Sequence, residues 1–241
     1  MTHLNRAPTR LLATGASFYN LSSCSLNIVG NGYATTMPHR VASFYAIEST
    51  GPVDLVVSVG AEQSVSLRCD SNLHEHINVF VDDHELVIET GHESISPRTD
   101  CTATIVTDTL YDLKTAGSGD IQVNGPTPDL YRVQSTGSGD VRIAEVTSAK
   151  LELFTTGSGD ATIIGVTGHA RLETTGSGGL YARKLVARAA VVRSTGSGSV
   201  DVHATESVHV RTSGSGNVDI WGAPQSRYVT TAGSGEVHYH E

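Results

Sequence analysis

The stretch TTGSGD, residues 155–160, contains a triplet that recurs through the second half of the chain. Seven copies of GSG begin at Gly117, Gly137, Gly157, Gly176, Gly196, Gly214 and Gly233. The intervals between them are 20, 20, 19, 20, 18 and 19 residues. A phosphate-binding loop needs only one glycine-rich turn between a strand and a helix, so this regular period indicates a repeat fold.

Apolar residues occupy fixed positions relative to each GSG. The residue four positions before the first glycine is always aliphatic: Leu113, Val133, Leu153, Leu172, Val192, Val210 and Val229. The fifth and seventh residues, with the first glycine counted as one, are apolar pairs: Ile121/Val123, Val141/Ile143, Ala161/Ile163, Leu180/Ala182, Val200/Val202, Val218/Ile220 and Val237/Tyr239. Mostly polar residues separate the members of each pair, which predicts two short strands per copy, each with one buried face.

Small hydroxyl side chains occupy the position two residues before each GSG. They are Thr115, Ser135, Thr155, Thr174, Ser194, Thr212 and Thr231. Alternation along the strand predicts that they point inward and bond the backbone or one another. A repeat that cannot bury its own face must stack on its copies, so we predict an all-β parallel β-helix with seven GSG-marked coils of 18–20 residues.

Each GSG should mark a corner of the coil where the chain changes direction. Glycine supplies backbone angles or a close approach that a side chain would prevent. We expect the serine between the two glycines to form a ladder that satisfies the polar backbone groups of the corner.

Residues 41–107 keep a β pattern without the period. Strands are predicted at residues 43–48, 53–59, 64–69, 77–81, 85–89 and 102–106, and one more at SLNIVGNG, residues 25–32. DSNLHEH, residues 70–76, indicates a helical turn capped by Asp70 or Ser71. We therefore divide the chain into a poorly readable extension (1–40), an irregular β-rich part that caps the first coil (41–107) and the repeat β-helix (108–241).

Composition limits the classes of partner and the compartment. The net charge of −9, with scattered Lys and Arg, lacks the basic patch that nucleic acids or anionic membranes require. The sequence contains no run of about 18 apolar residues, the length that a membrane-spanning helix requires. The first 30 residues contain no continuous apolar segment typical of a secretory signal, so we expect a protein that stays inside, leaves by another route or has lost a leader.

The three cysteines Cys24, Cys69 and Cys101 are widely spaced and form no CxxC motif. This spacing argues against a zinc knuckle and against a disulfide framework, although one pair could form. We favour three small buried side chains over a disulfide.

Two stretches resemble a known family. They are IESTGPVDLVVSVGAEQSVSLRCDSNLHEHINVFVDDHELVIET, residues 47–90, and SISPRTDCTATIVTDTLYDLKTAGSGDIQV, residues 94–123, which the GSGD copies follow. In this order of motifs, residues 41–241 resemble the head GIN domain family of putative auto-transporter adhesins. The resemblance implies a right-handed β-helix and an extracytoplasmic or cell-surface setting in bacteria, with no demonstrated activity. The absence of a visible leader and the 40 residues in front depart from the family pattern.

The acidic residues Asp120, Asp140 and Asp160 follow GSG in three adjacent copies. Stacked carboxylates about 5 Å apart repel one another unless a cation lies between them, and calcium is the obvious candidate. The next four copies have Gly179, Ser199, Asn217 and Glu236 at this position. Because turn aspartates usually bond nearby backbone amides, we assign no metal ligand and no cofactor.

Other candidate residues are scattered. The pairs His74/His76 and His238/His240 could chelate, but neither has a third ligand nearby in sequence, so we interpret them as surface histidines. The aromatic residues predicted to face outward are Trp221, Tyr181 and Phe154, on different columns. Exposed aromatic rings can stack on sugars or on partner proteins.

The sequence therefore predicts a non-catalytic surface or envelope module that presents an extended face to a protein or glycan ligand. One alternative is a β-helix carbohydrate-active enzyme. However, the lengths of the copies differ by at most two residues, so no insertion is available to form the wall of a substrate groove, and we assign no catalytic residue. The other alternative is a calcium-stabilised structural protein. An ice-binding face is not expected, because charged and aromatic residues flank the one outward threonine column. The last copy ends within its first strand, so we expect another copy of the chain to cover the open coil and form a homo-oligomer.

Overall fold

The structure is a computed structural model that describes residues 27–91 and 93–240. These residues form nineteen strands and a 3-10 helix, His74–His76. The first nine strands are β1 (Asn27–Val29), β2 (Ala34–His39), β3 (Ala46–Gly51), β4 (Asp54–Val59), β5 (Ser64–Asp70), β6 (Ile77–Asp82), β7 (Glu85–Thr90), β8 (Ser94–Ser96) and β9 (Thr102–Thr107). Cys24 and any secretory signal in residues 1–26 lie outside the described residues.

The strands that follow carry the GSG copies. They are β10 (Asp112–Gly117), β11 (Ile121–Asn124), β12 (Arg132–Gly137), β13 (Val141–Gly157), β14 (Ala161–Gly176), β15 (Leu180–Gly196), β16 (Val200–Gly214), β17 (Val218–Trp221), β18 (Ser226–Gly233) and β19 (Val237–His240). Each strand pairs in parallel with its equivalent one coil away, and the first glycine of every GSG pairs with the first glycine of the next. The predicted all-β fold of stacked parallel coils is confirmed.

The interior of the solenoid contains the predicted aliphatic columns. Leu113, Val133, Leu153, Leu172, Val192 and Val210 are fully buried. The inward hydroxyl column is buried at Ser135, Thr155, Thr174, Ser194 and Thr212, whereas Thr115 is half-buried. The hydrogen bonds predicted for it are not general, because Thr155 Oγ1 and Thr212 Oγ1 have no partner among the described residues. The last coil departs from both columns: Thr231 is exposed, Val229 and Val237 are only partly buried, and Tyr239 is 45% exposed.

The GSG corner depends on both properties of glycine. Gly157 has a φ of 130°, a backbone angle that residues with a side chain rarely adopt, and an added Cβ would overlap the carbonyl oxygen of Gly137. The backbone N–H of Ser158 donates to that same oxygen at 2.9 Å. The serine hydroxyl itself is exposed, so the corner ladder that we predicted for serine consists of backbone hydrogen bonds.

The middle coils contain a third strand segment where the sequence predicted two. In β13 and β14, Val146 pairs with Gly165 and Ser148 with Thr167, and Val146 is fully buried. The sequence analysis missed this segment because the spacing from the GSG corner shifts by one residue between coils, which the register shift after Ile143 records.

The part before the repeats adds two coils to the same stack. β3 pairs with β10 in full register, so that Gly51 lies against Gly117, and β4 pairs with β11. On the other side, β7 pairs with β3 and β9 with β4, all in parallel. The coil built from β3 and β4 is therefore enclosed by coils that follow it in sequence, which explains why no period is visible before residue 108.

Antiparallel strands close the N-terminal end of the stack. β5 pairs with β9 and with β2, while β6 pairs with β7, all antiparallel. Cys69 in β5 and Cys101, the residue before β9, form a disulfide, and both are buried. Our preference for unpaired cysteines at these two positions is therefore wrong; the antiparallel pairing of β5 with β9 brings them together.

The predicted helical turn exists, but its predicted cap is wrong. No side chain caps the 3-10 helix. The buried Asp70 carboxylate instead accepts hydrogen bonds from the backbone N–H groups of Gly32 (2.6 Å), Arg98 (2.8 Å) and Thr99 (3.1 Å). Asp70 thus connects the N-terminal strands to the loop before β9. The predicted strand in SLNIVGNG is β1, which pairs with β8.

No helix in residues 27–91 and 93–240 is long and apolar enough to cross a membrane. The division of the chain into three segments at residues 40 and 107 stays a prediction.

Candidate functional site

The acidic column at the GSG corner forms a chain of hydrogen bonds across coils. Asp120 Oδ1 accepts the backbone N–H of Asp140 at 2.8 Å, and Asp140 Oδ1 accepts that of Asp160 at 2.9 Å. The column starts one coil earlier than predicted, because Asp54 Oδ1 accepts the N–H of Asp120 at 2.8 Å. It ends where Asp160 Oδ1 accepts the N–H of Gly179 at 2.7 Å.

These hydrogen bonds give the column a structural explanation. One oxygen of each carboxylate is held by the amide of the next coil, and Arg142 Nη2 donates to Asp140 Oδ2 at 2.8 Å. Burial raises the pKa of Asp54, and the nearby Asp120 carboxylate adds to this effect. Among the described residues, no three His, Cys, Asp or Glu side chains are grouped in a way that could hold a metal ion.

The aromatic residues singled out from the sequence are partly covered by cations of the chain itself. The Arg183 guanidinium lies 3.5 Å from the centroid of the Trp221 ring, and His240 stacks on Trp221 at 4.0 Å. Arg171 lies over Phe154 at 5.4 Å. Tyr181 is exposed and lies on another column, between Thr162 and Asp201. These residues do not converge on one site.

The histidine pairs also make local contacts. His74 Nε2 lies 3.0 Å from Thr35 Oγ1, and His76 Nδ1 lies 2.8 Å from a carboxylate oxygen of Glu93. His240 Nε2 contacts Asp219 Oδ1 at 2.6 Å. Each histidine is thus engaged separately.

A column of aromatic side chains that the sequence analysis missed runs along the opposite end of the strands. Tyr111 and Tyr131 each lie six residues before a GSG glycine, and Tyr45 lies six residues before Gly51. Backbone hydrogen bonds align the three residues. The N–H of Tyr111 donates to the carbonyl oxygen of Tyr45 at 2.7 Å, and the N–H of Tyr131 donates to the carbonyl oxygen of Tyr111 at 3.0 Å. With His84, these tyrosines form what we call the aromatic column.

Ring stacking divides the aromatic column into two pairs. His84 stacks on Tyr45 and Tyr111 on Tyr131, each with ring centroids 5.4 Å apart. Tyr45 and Tyr111 belong to different pairs, and each remains 46% exposed. One ring of each pair is therefore available to a ligand.

A cleft of about 620 Å³, which we call the tyrosine cleft, is bordered by both pairs. Its walls include Phe44, Tyr45, His84, Asp108, Tyr111 and Asp129. The segment between β9 and β10 forms one wall because it must cross the coil of β3 and β4 to begin the next one. Asp108 and Asp129 are exposed carboxylates, and no basic side chain pairs with either within the described part of the chain.

A repeat signal for the cleft was present in the sequence. Aligning STGPVD, residues 49–54, with TAGSGD, residues 115–120, places Tyr45 and Tyr111 at the same position. Because Pro52 and Val53 replace the Ser-Gly of the corner, the triplet alone does not reveal this coil. Asp108 and Asp129 lie in connecting loops, where no repeat position identifies them.

The last coil leaves two strand edges without a partner among the described residues. β18 pairs only with β16, and β19 only with β17. Most of β18 is exposed, including Tyr228. An edge of this kind can pair with another chain through its free backbone groups.

One family model matches most of the chain. The family model described as "Putative auto-transporter adhesin, head GIN domain" matches residues 43–224. No curated protein matches the chain.

Three crystal structures share the fold. A putative adhesin from Bacteroides fragilis NCTC 9343 has a TM-score of 0.84 at 24% identity, over 88% of this chain and 100% of the other. A putative lipid binding protein from Parabacteroides distasonis ATCC 8503 has a TM-score of 0.75 at 22% identity, over 89% and 100%. A putative adhesin from Parabacteroides merdae ATCC 43184 has a TM-score of 0.68 at 20% identity, over 90% and 100%. At these identities the similarity shows the fold alone.

Proposed function

Since the chain belongs to the head GIN domain family of putative auto-transporter adhesins, we propose that it is a non-catalytic bacterial surface or envelope module that binds a protein or glycan ligand. The observation that carries this proposal is the tyrosine cleft, where two half-exposed tyrosine rings meet two carboxylates that have no basic partner among the described residues. Exposed aromatic rings beside polar groups are typical of recognition surfaces.

A rigid scaffold supports this role. The coils are joined by parallel strand pairing and by glycine corners that leave no room for a Cβ, so the positions next to the corners are fixed relative to one another. A binding surface on such a scaffold loses little conformational entropy when it binds a ligand.

An extracytoplasmic location fits the cysteine chemistry. Disulfides persist in oxidising compartments and are rare in the reducing cytosol. The buried Cys69–Cys101 disulfide therefore favours a location outside the cytoplasm, in agreement with the adhesin description of the family.

We further propose that another copy of the chain pairs with the open edges of β18 and β19 and forms a homo-oligomer. The unpaired backbone groups and the partly buried Val229 and Val237 support this arrangement. Light scattering across a concentration series tests it, and a monomeric mass at high concentration would contradict it.

The binding function is tested with the full chain on arrays of glycans and of extracellular proteins. We expect defined hits that the double variant Tyr45→Ala/Tyr111→Ala loses. Tyr33→Ala is the matched control, because Tyr33 is 75% exposed and does not line the cleft. A melting curve for each variant verifies folding.

Two results would contradict the proposal. Release of reducing sugars from a polysaccharide by the wild-type chain would favour the carbohydrate-active alternative. Hits that persist in a folded double variant would show that the binding surface lies outside the tyrosine cleft.

A further inference from the structure

We propose that the tyrosine cleft receives the side chain of an arginine or lysine on a partner protein. This inference rests on the function proposed above and narrows the choice between a protein and a glycan. An aromatic ring attracts a cation through its quadrupole, and a neighbouring carboxylate adds a direct charge attraction. The cleft combines two rings of this kind with two carboxylates.

The aromatic column already binds cations one coil further on. The Lys150 ammonium lies 5.0 Å from the centroid of the Tyr131 ring and donates to the Tyr131 hydroxyl at 3.1 Å. The Arg132 guanidinium lies 5.5 Å from the same centroid. Both cations also contact the carboxylate of Glu152, Lys150 at 2.7 Å and Arg132 at 3.7 Å. Tyrosine and carboxylate together thus hold a basic side chain at this position of the coil.

The tyrosine cleft has the same groups without the cation. No lysine or arginine is among its lining residues, and none of the described basic side chains lies over Tyr45 or Tyr111. His84 is already engaged, since it stacks on Tyr45 and its Nδ1 lies 3.3 Å from the Ser43 carbonyl oxygen. The cleft therefore lacks the basic group that Tyr131 has.

Charge favours a cation over a neutral sugar. A pyranose could stack on Tyr111 and donate hydroxyl hydrogen bonds to Asp108 or Asp129, but it would leave two negative charges uncompensated. A guanidinium or ammonium group satisfies the rings and the carboxylates together. Electrostatic complementarity also selects against acidic partners.

The exposure of the cleft favours a side chain over a free amine. Tyr45 and Tyr111 are each about half exposed, so a small cation would remain largely hydrated and gain little from each ring. A basic residue within a polypeptide also brings flanking backbone contacts that exclude water, which strengthens both the cation–π and the charge attraction.

Hydrogen bonds within the chain connect the walls of the cleft before any ligand arrives. The Thr107 hydroxyl lies 3.0 Å from the Phe44 carbonyl oxygen and 2.9 Å from that of Thr109, which ties the crossing segment to the start of β3. Tyr111 is fixed by its backbone bond to Tyr45. A preformed site of this kind avoids part of the ordering cost of binding.

The test uses isotope-labelled full chain and a short peptide, acetyl-GSGRGSG-amide, followed by NMR. The neutral control replaces arginine with citrulline, which has nearly the same shape without the charge. A third titration uses a neutral oligosaccharide, cellotetraose. We expect the arginine peptide to shift the signals of Tyr45 and Tyr111, with binding at least tenfold tighter than that of the citrulline peptide and weakened by salt.

Matched variants identify the groups involved. Asp108→Asn/Asp129→Asn should weaken binding of the arginine peptide about tenfold. The control Glu75→Gln/Glu206→Gln removes two carboxylates that are 78% and 63% exposed outside the cleft, and it should leave binding unchanged. Tyr111→Phe keeps the ring and should retain binding, whereas Tyr111→Leu should lose it.

The outcomes separate this inference from the proposed function. Equal binding of the arginine and citrulline peptides would refute the claim that the cleft recognises a cation. Shifts of the cleft signals with cellotetraose alone would refute the claim that the partner is a protein, but they would support the proposed function as a binding module. If no probe shifts the cleft signals, the inference fails, and hits on the arrays decide the proposed function independently.

Discussion

The two ends of the solenoid differ in how their last coil is covered. At the N-terminal end, antiparallel strands β2, β5 and β6 flank the outermost coil, and the buried residues Leu67, Leu73 and Ile77 close its interior. At the C-terminal end, the coil of β18 and β19 has a neighbour on one side only among residues 27–91 and 93–240, and its aliphatic residues are partly exposed.

The strand edges differ in the same way. The edge strand β2 contains Pro38, which has no N–H to offer a further strand. The edge strand β18 contains no proline over its eight residues. The β2 edge therefore offers a further strand one hydrogen-bond donor fewer than a proline-free edge such as β18.

This difference determines where unfolding begins. In a repeat fold the stability of a coil comes mainly from its neighbours, so a coil with one neighbour opens more readily than one with two. We expect the C-terminal coil to open first and the disulfide-bonded N-terminal end last. The following substitutions test this comparison.

Removal of the disulfide should have the largest effect. Cys69 and Cys101 are 32 residues apart, and closing a loop of that length stabilises a fold by about 4 kcal/mol in the chain-entropy model. We expect Cys69→Ala/Cys101→Ala to lower the free energy of unfolding by about that amount in urea. Wild-type protein in excess reductant is the control and should show a similar loss; unchanged stability in both would refute a role for the disulfide at this end.

Truncation of a buried leucine comes next. Leu86 in β7 is fully buried, and Leu86→Ala should cost about 3 kcal/mol through lost burial and a cavity. Val237→Ala in the half-buried last coil should cost less than about 1 kcal/mol. Urea unfolding followed by circular dichroism measures both, and equal losses would argue that the two ends are equally packed.

Asp70 should give the N-terminal end a dependence on pH. Burial of this carboxyl opposes ionisation, but the backbone N–H donors of Thr99, Arg98 and Gly32 outweigh it and hold the pKa of Asp70 below its usual value. A lowered folded-state pKa stabilises the fold above the unfolded-state pKa of about 3.9, and this stabilisation is lost as the pH falls through the folded-state pKa.

The variant Asp70→Asn separates this carboxylate from the other acids. It should melt at a lower temperature than wild type at pH 7, and the difference should shrink below about pH 4. Glu75→Gln, which changes an exposed side chain, should leave the melting curve unchanged throughout. A constant difference between Asp70→Asn and wild type from pH 7 to pH 2 would show that ionisation is not involved.

The smallest effect is expected at the C-terminal coil. His240→Ala removes the 2.6 Å contact with Asp219 and the stack on Trp221, both partly exposed, which should cost about 0.5–1 kcal/mol. Amide hydrogen exchange should accelerate in β19 while β7 stays protected. Acceleration in β7 would contradict independent opening of the two ends.

The repeat region was predicted in detail because one pattern recurs seven times. Each aliphatic residue before GSG has six counterparts at the same position, so a single chance hydrophobic residue does not determine the alignment. The coil of β3 and β4 escaped detection because its corner reads GPV in place of GSG and because its neighbours in the stack are not its neighbours in sequence.

The candidate site was less predictable for the same reason. Tyr111 and Tyr131 share a repeat position, but their partner Tyr45 becomes recognisable only when Gly51 is aligned with the corners. Trp221 was a stronger candidate by residue type, yet Arg183 and His240 cover its ring. Whether an outward aromatic ring is available depends on the coils above and below it.

The amino-acid sequence alone determined the coil, its interior and its glycine corners, because these depend on alternation and period along the chain. Tertiary structure decided the order of the first coils, the Cys69–Cys101 pairing and the tyrosine cleft. These features join residues from non-consecutive coils and loops, and no local pattern records which segments meet when the chain crosses from β9 back over β3.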